Sequence, residues 1–311
     1  MNIVFLETDT LGDDVNLAQF SKLGNVTTYP LTLAEEIHDR LLDCDVVVIN
    51  KLPMNEKTIG GLEKLKLICL TATGTNNIDF NYTNKMGIDV RNVRSYSTES
   101  VVQHTFACFF YLYEKLNYFD EYVKSEPYAD APFFCHIAEK FHEMQGKRWG
   151  VIGLGEIGKR VSDVAKAFGC ETVYYSTSGK HDEPGYNRVS LDELLTTSDI
   201  ISIHAPLNDD TLNLINKETL KKCKKSAYLI NMGRGPIVNQ EDMYEALVND
   251  VIAGAALDVL TVEPMAKDNP LIKIKDSKKL LITPHIAWAT VEARQRCVDA
   301  VFENIRTSAV R

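Results

Sequence analysis

Short apolar runs alternate with longer stretches of helical period along most of this chain, the spacing of a doubly wound α/β architecture. Apolar runs at 3–6, 26–29, 46–49, 67–70 and 88–90 predict strands, and the intervals 15–23, 33–42 and 59–65 predict helices. They make a first, smaller α/β unit. A long helix is predicted from Thr98, which Ser97 or Thr98 can cap, with dense apolar positions over 101–116. The stretch 117–145 is rich in Tyr and Phe, is broken by Pro127 and Pro132, and reads as an irregular surface arm. So many rings favour burial against something, such as another subunit. From Gly146 a second unit follows, with strands predicted at 149–152, 172–175, 200–203, 227–230, 252–257 and 280–283. Helices fall at 159–168, 192–196, 217–222 and 241–248, and a last one at 291–305. Six parallel strands with interleaved helices fit a dinucleotide-binding domain.

The strand predicted at 149–152 opens into Trp149-Gly-Val-Ile-Gly-Leu-Gly-Glu-Ile-Gly158. Gly153 permits the tight turn, Gly155 lets backbone approach a phosphate, and Gly158 lets helix pack close to strand. The helix that follows presents free N–H groups and its positive end to the anion. Glycine punctuation alone is a weak signal, since ordinary loops carry it too. Here both flanks are right, and the run predicts NAD or NADP binding.

Length and composition set limits on that reading. The 311 residues suggest two domains, one of them split by the other. A formal net charge of −9 argues against nucleic acid or an anionic membrane as the main partner, while leaving room for a locally basic pocket and an anionic substrate. The opening Met-Asn-Ile-Val-Phe-Leu-Glu-Thr-Asp turns polar too soon for a signal peptide, and no apolar run approaches the roughly 20 residues of a bilayer span. The seven cysteines are scattered and never form Cys-x-x-Cys, which gives no support to a metal site and suggests a reducing cytoplasm.

Three further segments end predicted strands of the second unit, where ligands gather in an open α/β sheet. They are Ile230-Asn-Met-Gly-Arg-Gly-Pro236, Ala256-Leu-Asp-Val-Leu-Thr-Val-Glu-Pro264 and Thr283-Pro-His-Ile-Ala-Trp-Ala-Thr290, and they carry Arg234, Glu263 and His285. An arginine can grip a carboxylate in a fork and polarise a carbonyl. A histidine can donate a proton to oxygen as hydride arrives at carbon, and a carboxylate can orient and support it. Alone, each residue is more simply a turn, a surface or a capping group. Together, downstream of a dinucleotide fingerprint, they read as a catalytic set.

Over almost its whole length the chain resembles the D-isomer-specific 2-hydroxyacid dehydrogenases. The resemblance rests on Gly-Leu-Gly-Glu-Ile-Gly158, His204-Ala-Pro-Leu-Asn208, Asn231-Met-Gly-Arg-Gly235, Asp258-Val-Leu-Thr-Val-Glu-Pro264 and Pro284-His-Ile-Ala-Trp288. It implies catalytic roles for Arg234, Glu263 and His285. It also implies a Rossmann nucleotide-binding domain (99–285) inserted into a smaller flavodoxin-like substrate domain (1–98 and 286–311). Cofactor contacts are implied at Thr105, Gly153, Gly155, Glu156, Ile157, Gly158, Ser176, Thr177, Ala205, Pro206, Thr211, Asn231, Met232, Gly233, Asp258, His285 and Ala287. Thr71-Ala-Thr-Gly-Thr-Asn-Asn-Ile-Asp79 resembles the family's substrate loop, so backbone N–H groups at Thr73 and Gly74 would hold the substrate carboxylate together with Arg234 and His285. The stretch 285–294 looks most like the hydroxypyruvate reductase, or glycerate dehydrogenase, branch.

Two departures stand out. NAD enzymes usually carry an acid at the end of the strand after the fingerprint helix, to bind both ribose hydroxyls. This chain has Tyr175-Ser-Thr-Ser-Gly-Lys180 there. Without an acid to repel a 2′-phosphate NADPH is acceptable, yet no arginine is evident to clamp that phosphate, and the balance leans to NADH. Gln103 also stands where an acid would be expected in that family.

The leading expectation is reversible reduction of a small 2-keto acid, hydroxypyruvate or glyoxylate, by a cytoplasmic homodimer. Formate oxidation, known in the same superfamily, goes with glutamine in place of the glutamate, so Glu263 argues for proton chemistry. A dinucleotide-sensing binding protein on the same fold would need a docking surface or added tails, which the sequence does not suggest.

Overall fold

Val46–Ile49 and Leu67–Leu70 are apolar at every position, which only a strand covered on both faces can satisfy. In the computed structural model, which describes residues 1–180 and 182–310, they lie at the centre of a parallel sheet. The chain divides into two compact units: Met1–Ser97 with Trp288–Arg311, and Thr98–Ala287.

The first unit contains strands β1 (Asn2–Phe5), β2 (Asn25–Thr28), β3 (Val46–Ile49), β4 (Leu67–Leu70) and β5 (Asp89–Arg91), in the order β2-β1-β3-β4-β5. All pairs are parallel, which gives the flavodoxin-like arrangement expected from the sequence. Val4, Leu6, Val47, Ile49, Ile68 and Leu70 pack on one side. The alternate residues Ile3, Phe5, Val46, Val48, Leu67 and Cys69 meet Ala293, Cys297, Val298, Val301 and Ile305 of the C-terminal helix Val291–Arg306.

Helices here are shorter than the periodicity predicts: α1 is Ile37–Arg40 and α2 is Glu56–Ile59, while 15–23 holds only a 3-10 turn at Ala18–Lys22. Asn55 opens α2 by accepting from the Lys57 N–H, and Gly60 and Gly61 (φ 78°) close it, so the helix precedes most of the predicted 59–65. An unpredicted helix, α3 (Phe80–Met86), is capped by Asp79 and stopped by Gly87 in the left-handed region (φ 68°).

The second unit begins with α4 (Thr98–Tyr113), whose buried face carries Val101, Thr105, Phe109 and Leu112. The stretch predicted to be irregular instead starts with two helices, α5 (Leu116–Val123) and α6 (Glu126–Ala129). Its rings partly satisfy one another, since His136 stacks on Tyr122 at 3.6 Å and bonds the Tyr118 hydroxyl, while Phe133, Phe134, Ile137 and Phe141 stay exposed.

The remaining elements are β6 (Arg148–Ile152), α7 (Glu156–Ala167), β7 (Glu171–Tyr175), β8 (Asn187–Arg188), α8 (Leu191–Thr197), β9 (Ile200–Ile203), α9 (Lys217–Leu220), β10 (Tyr228–Asn231), α10 (Gln240–Val248), β11 (Gly254–Leu257) and β12 (Leu280–Ile282). The C-terminal helix is α11. The parallel sheet runs β12-β11-β10-β9-β6-β7-β8, a Rossmann order with one strand added at the β12 edge. Two-residue β8 completes seven strands where six were expected, being too short to leave a hydrophobic pattern. The order reverses between β6 and β9, which places the ligand crevice of such sheets outside their carboxyl ends.

All seven cysteines are free thiols, and five are buried; burial pushes the Cys69 thiol up to about 12. Among the described residues no helix is long and apolar enough to cross a membrane.

Candidate dinucleotide and acid–base site

The β6–α7 turn lies at the reversal point. Gly153 takes φ 91°, and a Cβ there would lie 2.8 Å from the Cα and N of Ala205, in the loop after β9. Gly158 passes so close beneath the turn that a Cβ would meet the Gly153 carbonyl oxygen at 2.2 Å. At Gly155 a Cβ would meet nothing within 4 Å, and no side chain caps α7, so the first-turn N–H groups open outward beside exposed Glu156 and half-buried Ile157. These are the properties a pyrophosphate cradle needs, and the residues present fit one.

The rim of that cradle is held by side chains. Thr211 is enclosed; its hydroxyl donates to the Pro206 carbonyl (2.7 Å) and accepts from the Asn208 N–H (2.8 Å), fixing the loop after β9. Thr105 is enclosed too, with its hydroxyl turned back on the Val101 carbonyl within α4. His204, at the end of β9, has both ring nitrogens buried without a hydrogen-bond partner, and burial lowers its pKa from 6.5 to about 3. Such orphaned polar atoms are uncommon in folded proteins. They stand next to Ala205, against which Gly153 packs.

The ribose end of the crevice lies after β7. Ser176 is buried and its carbonyl accepts from the Gly179 N–H, which closes a turn with Thr177 and Ser178 inside it. Arg188 donates from its Nη2 to the Gly179 carbonyl at 3.0 Å. The expectation of no arginine near this loop is therefore corrected. β8 pairs in parallel with β7, with Tyr174 opposite Arg188, and so returns a later residue to the loop.

On the other side, the loops after β10, β11 and β12 carry Arg234, Glu263 and His285. Asn231, wholly buried, accepts from the Gly233 N–H at its Oδ1 and donates from its Nδ2 to the Arg234 carbonyl, which folds the turn carrying Met232, Gly233 and Arg234. Gly235 then rests on the next loop, since a Cβ there would lie 2.0 Å from the C and O of Leu260. The Leu260 N–H in turn donates to Oε1 of Glu263 at 2.8 Å. Glu263 Oε2 accepts from Nδ1 of His285 at 2.7 Å.

His285 adopts φ 56°, a left-handed conformation that a side-chain-bearing residue holds only when its surroundings fix it. Asp258 does so. Its carbonyl accepts from the His285 N–H (2.8 Å), and its carboxylate accepts from the Thr283 hydroxyl (2.6 Å), the Ile286 N–H (2.9 Å) and the Ala287 N–H (2.9 Å). Asp258 is 2% exposed, so its carboxylate works as an internal clasp for the His285 turn. The Ala287 carbonyl in turn accepts from Ser100 Oγ at 2.6 Å.

In the first unit, the predicted substrate loop follows β4. The Thr73 hydroxyl donates to the Val93 carbonyl and the Asn92 side chain to the Thr73 carbonyl, while neither the Thr73 nor the Gly74 N–H donates to any group among the described residues. Adjacent undirected amides of this kind suit an anion. Sequence reading missed Glu7 here: one of its oxygens, Oε2, accepts from the Asn50, Lys51 and Leu52 N–H groups and sets the loop after β3. A single acid after an apolar strand carries no signal of that role.

A Rossmann sheet with a phosphate cradle at its reversal point and a carboxylate-backed imidazole at its edge defines a nicotinamide-dinucleotide oxidoreductase. Residues 106–287 match the model of the D-isomer specific 2-hydroxyacid dehydrogenase NAD binding domain. The glycerate dehydrogenase of Methylorubrum extorquens is 34% identical over 304 residues, 97% of this chain and 94% of that one. The hydroxypyruvate reductase of Blautia hydrogenotrophica is 33% identical over 311 residues, 98% of this chain and 96% of its own length. Among solved structures, a D-lactate dehydrogenase from Aquifex aeolicus complexed with NAD and lactic acid superposes with a TM-score of 0.86 at 28% identity, over 98% of this chain and 94% of that one. An acyclic imino acid reductase in complex with NADPH and D-Arg gives 0.85 at 28%, over 99% and 96%. The chain belongs to the D-isomer specific 2-hydroxyacid dehydrogenase family. It is an NAD-dependent oxidoreductase that interconverts a D-2-hydroxy acid and its 2-keto acid.

Proposed function

We propose that this enzyme reduces hydroxypyruvate, and glyoxylate as a smaller substrate, to D-glycerate and glycolate. The relatives named glycerate dehydrogenase and hydroxypyruvate reductase support that choice of acid. The observation that carries the chemistry is the 2.7 Å bond between Glu263 and Nδ1 of His285. The nicotinamide, when bound, supplies the hydride that reaches the keto carbon. His285 gives the proton on Nε2 to the carbonyl oxygen, so the C=O π bond becomes C–H and O–H. Glu263 holds the ring's orientation and balances the charge of the imidazolium before transfer. Arg234 grips the substrate carboxylate and polarises the carbonyl, with its main chain fixed by Asn231 and Gly235. The Thr73 and Gly74 amides are assigned to substrate binding.

Cofactor contacts are assigned to the cradle at Gly153–Gly158, to Ser176 and Thr177, and to the loops at Ala205–Pro206 and Met232–Gly233. Thr105, Thr211, Asn231 and Asp258 act in this reading by holding those walls. The two compact units suit a division into a substrate domain and a nucleotide domain. The exposed Phe133, Phe134, Ile137 and Phe141 on the 130–141 stretch suit a homodimer contact. Buried free thiols suit the reducing cytoplasm.

Loss of NADH absorbance with hydroxypyruvate, glyoxylate and pyruvate in turn tests the reading. Turnover is expected with all three and the highest kcat/KM with hydroxypyruvate. No turnover on hydroxypyruvate alongside good turnover on a bulkier 2-keto acid refutes the substrate assignment.

A further inference from the structure

We propose that His104 is a positioning residue for His285, acting at one remove through Thr283 and Asp258. This rests on the acid–base reading of His285 and concerns only what holds that residue in place.

The route lies wholly within the second unit. His104 is on α4, one turn before Cys108, with its side chain 20% exposed. Its Nε2 stands 3.1 Å from the Thr283 hydroxyl, and that hydroxyl stands 2.6 Å from Oδ1 of Asp258. The Asp258 carboxylate accepts in turn from the Ile286 and Ala287 N–H groups, the clasp on the His285 turn. The helix that begins the unit is thereby tied to the turn that ends it.

The hydrogens can run in only one direction along this route. A hydroxyl has one hydrogen and two lone pairs, and a carboxylate oxygen only accepts. The Thr283 hydrogen therefore goes to Asp258, which leaves a lone pair for His104. The hydrogen between His104 and Thr283 must then sit on Nε2. Cys108 also reaches Thr283, but a thiol is a weak donor; burial first, then the charge of Asp258, push it up to about 12.

Asp258 is 2% exposed, and among the described residues no lysine or arginine lies at ion-pair distance from it. The one basic nitrogen there is Nε2 of His104, at 3.6 Å. A buried carboxylate is costly unless well-polarised donors surround it. The His104 N–H polarises the Thr283 hydroxyl and strengthens the bond that this hydroxyl makes to Asp258. What the arrangement needs from His104 is a donor at the Nε2 position, which a neutral imidazole supplies.

Replacement of His104 in the full chain, with hydroxypyruvate turnover and urea midpoints measured together, tests this. His104→Leu removes the donor and should lower kcat about five- to tenfold, the worth of one neutral hydrogen bond, with a smaller change in KM. His104→Gln carries an amide NH2 at the reach of Nε2 and should keep kcat within about twofold, whereas His104→Asn is too short and should behave as the leucine variant. Thr283→Val should match His104→Leu, and the two together should be no slower than Thr283→Val alone. Nitrogen-15 chemical shifts of the unaltered chain should show the His104 hydrogen on Nε2. Full kcat in a folded His104→Leu, a glutamine no better than the leucine, losses that multiply in the double variant, or a hydrogen on Nδ1 alone overturns the proposal. Turnover that survives His285→Ala overturns the acid–base reading itself, and this proposal with it.

Discussion

Asp258→Asn removes one oxygen from a carboxylate that the His285 turn uses almost completely. If the remaining oxygen occupies the Oδ1 position, the Thr283 hydroxyl and Ile286 N–H keep an acceptor, while the new NH2 points at the Ala287 N–H, donor against donor. The opposite orientation loses two bonds. The cheaper arrangement gives up one charge-assisted hydrogen bond to a buried amide and turns two more into neutral ones. At about 1.5–3 kcal/mol for the first and 0.5–1 for each of the others, the cost is about 2.5–5 kcal/mol. Urea denaturation should show that loss at an unchanged m-value. Because the same bonds hold His285 at φ 56°, kcat should fall with it. A variant within about 0.5 kcal/mol of the parent and with full kcat would refute the clasp.

Three further outcomes follow from the same geometry. His285→Ala should lower kcat by about 10²–10⁴-fold while NADH binding, measured separately by fluorescence, is retained. Gly235→Ala should cost at least tenfold in kcat/KM, because its Cβ would strike the Leu260 backbone at 2.0 Å and drive the Arg234 turn away from the Glu263 loop; full activity would show that the two loops do not depend on this contact. His204, whose pKa is held at about 3 when folded against 6.5 in its ordinary state, makes the unfolded chain bind more protons between those values. Its contribution to stability is therefore complete above pH 6.5 and falls as pH drops, by about 2 kcal/mol at pH 5. His204→Leu should lose less stability between pH 8 and pH 5 than the parent does, as read from urea midpoints.

Much of this enzyme was legible before its coordinates. Most strands of both sheets announce themselves as apolar runs because they are covered on both faces, and Gly153 and Gly158 of the cradle are dictated by contacts that no other residue survives. Arg234, Glu263 and His285 stand at successive strand ends, so local sequence places them even though only the structure shows which nitrogen meets which oxygen. What escaped reading depends on pairing or on short-range caps. Arg188 reaches its loop only because β8 pairs with β7, and two residues carry no periodicity. The 59–65 prediction followed Leu62 and Leu65 and overlooked the Gly60-Gly61 stop, although Asp79 and Gly87 were both visible as brackets for α3. Asp258, expected at the cofactor, also clasps the main chain around His285, a role that its neighbours in sequence could not announce.

The path of the chain also constrains how it is made. Sheet β2-β1-β3-β4-β5 is read out first, yet one of its faces is covered by Ala293, Cys297, Val298, Val301 and Ile305 of α11. On a translating ribosome the unit formed by residues 1–97 must wait, half uncovered, until residues 291–305 have been made, while residues 98–287 can complete their own core in the meantime. The part that emerges first is the last to finish, and its bare face over that interval is where chaperones would be expected to engage.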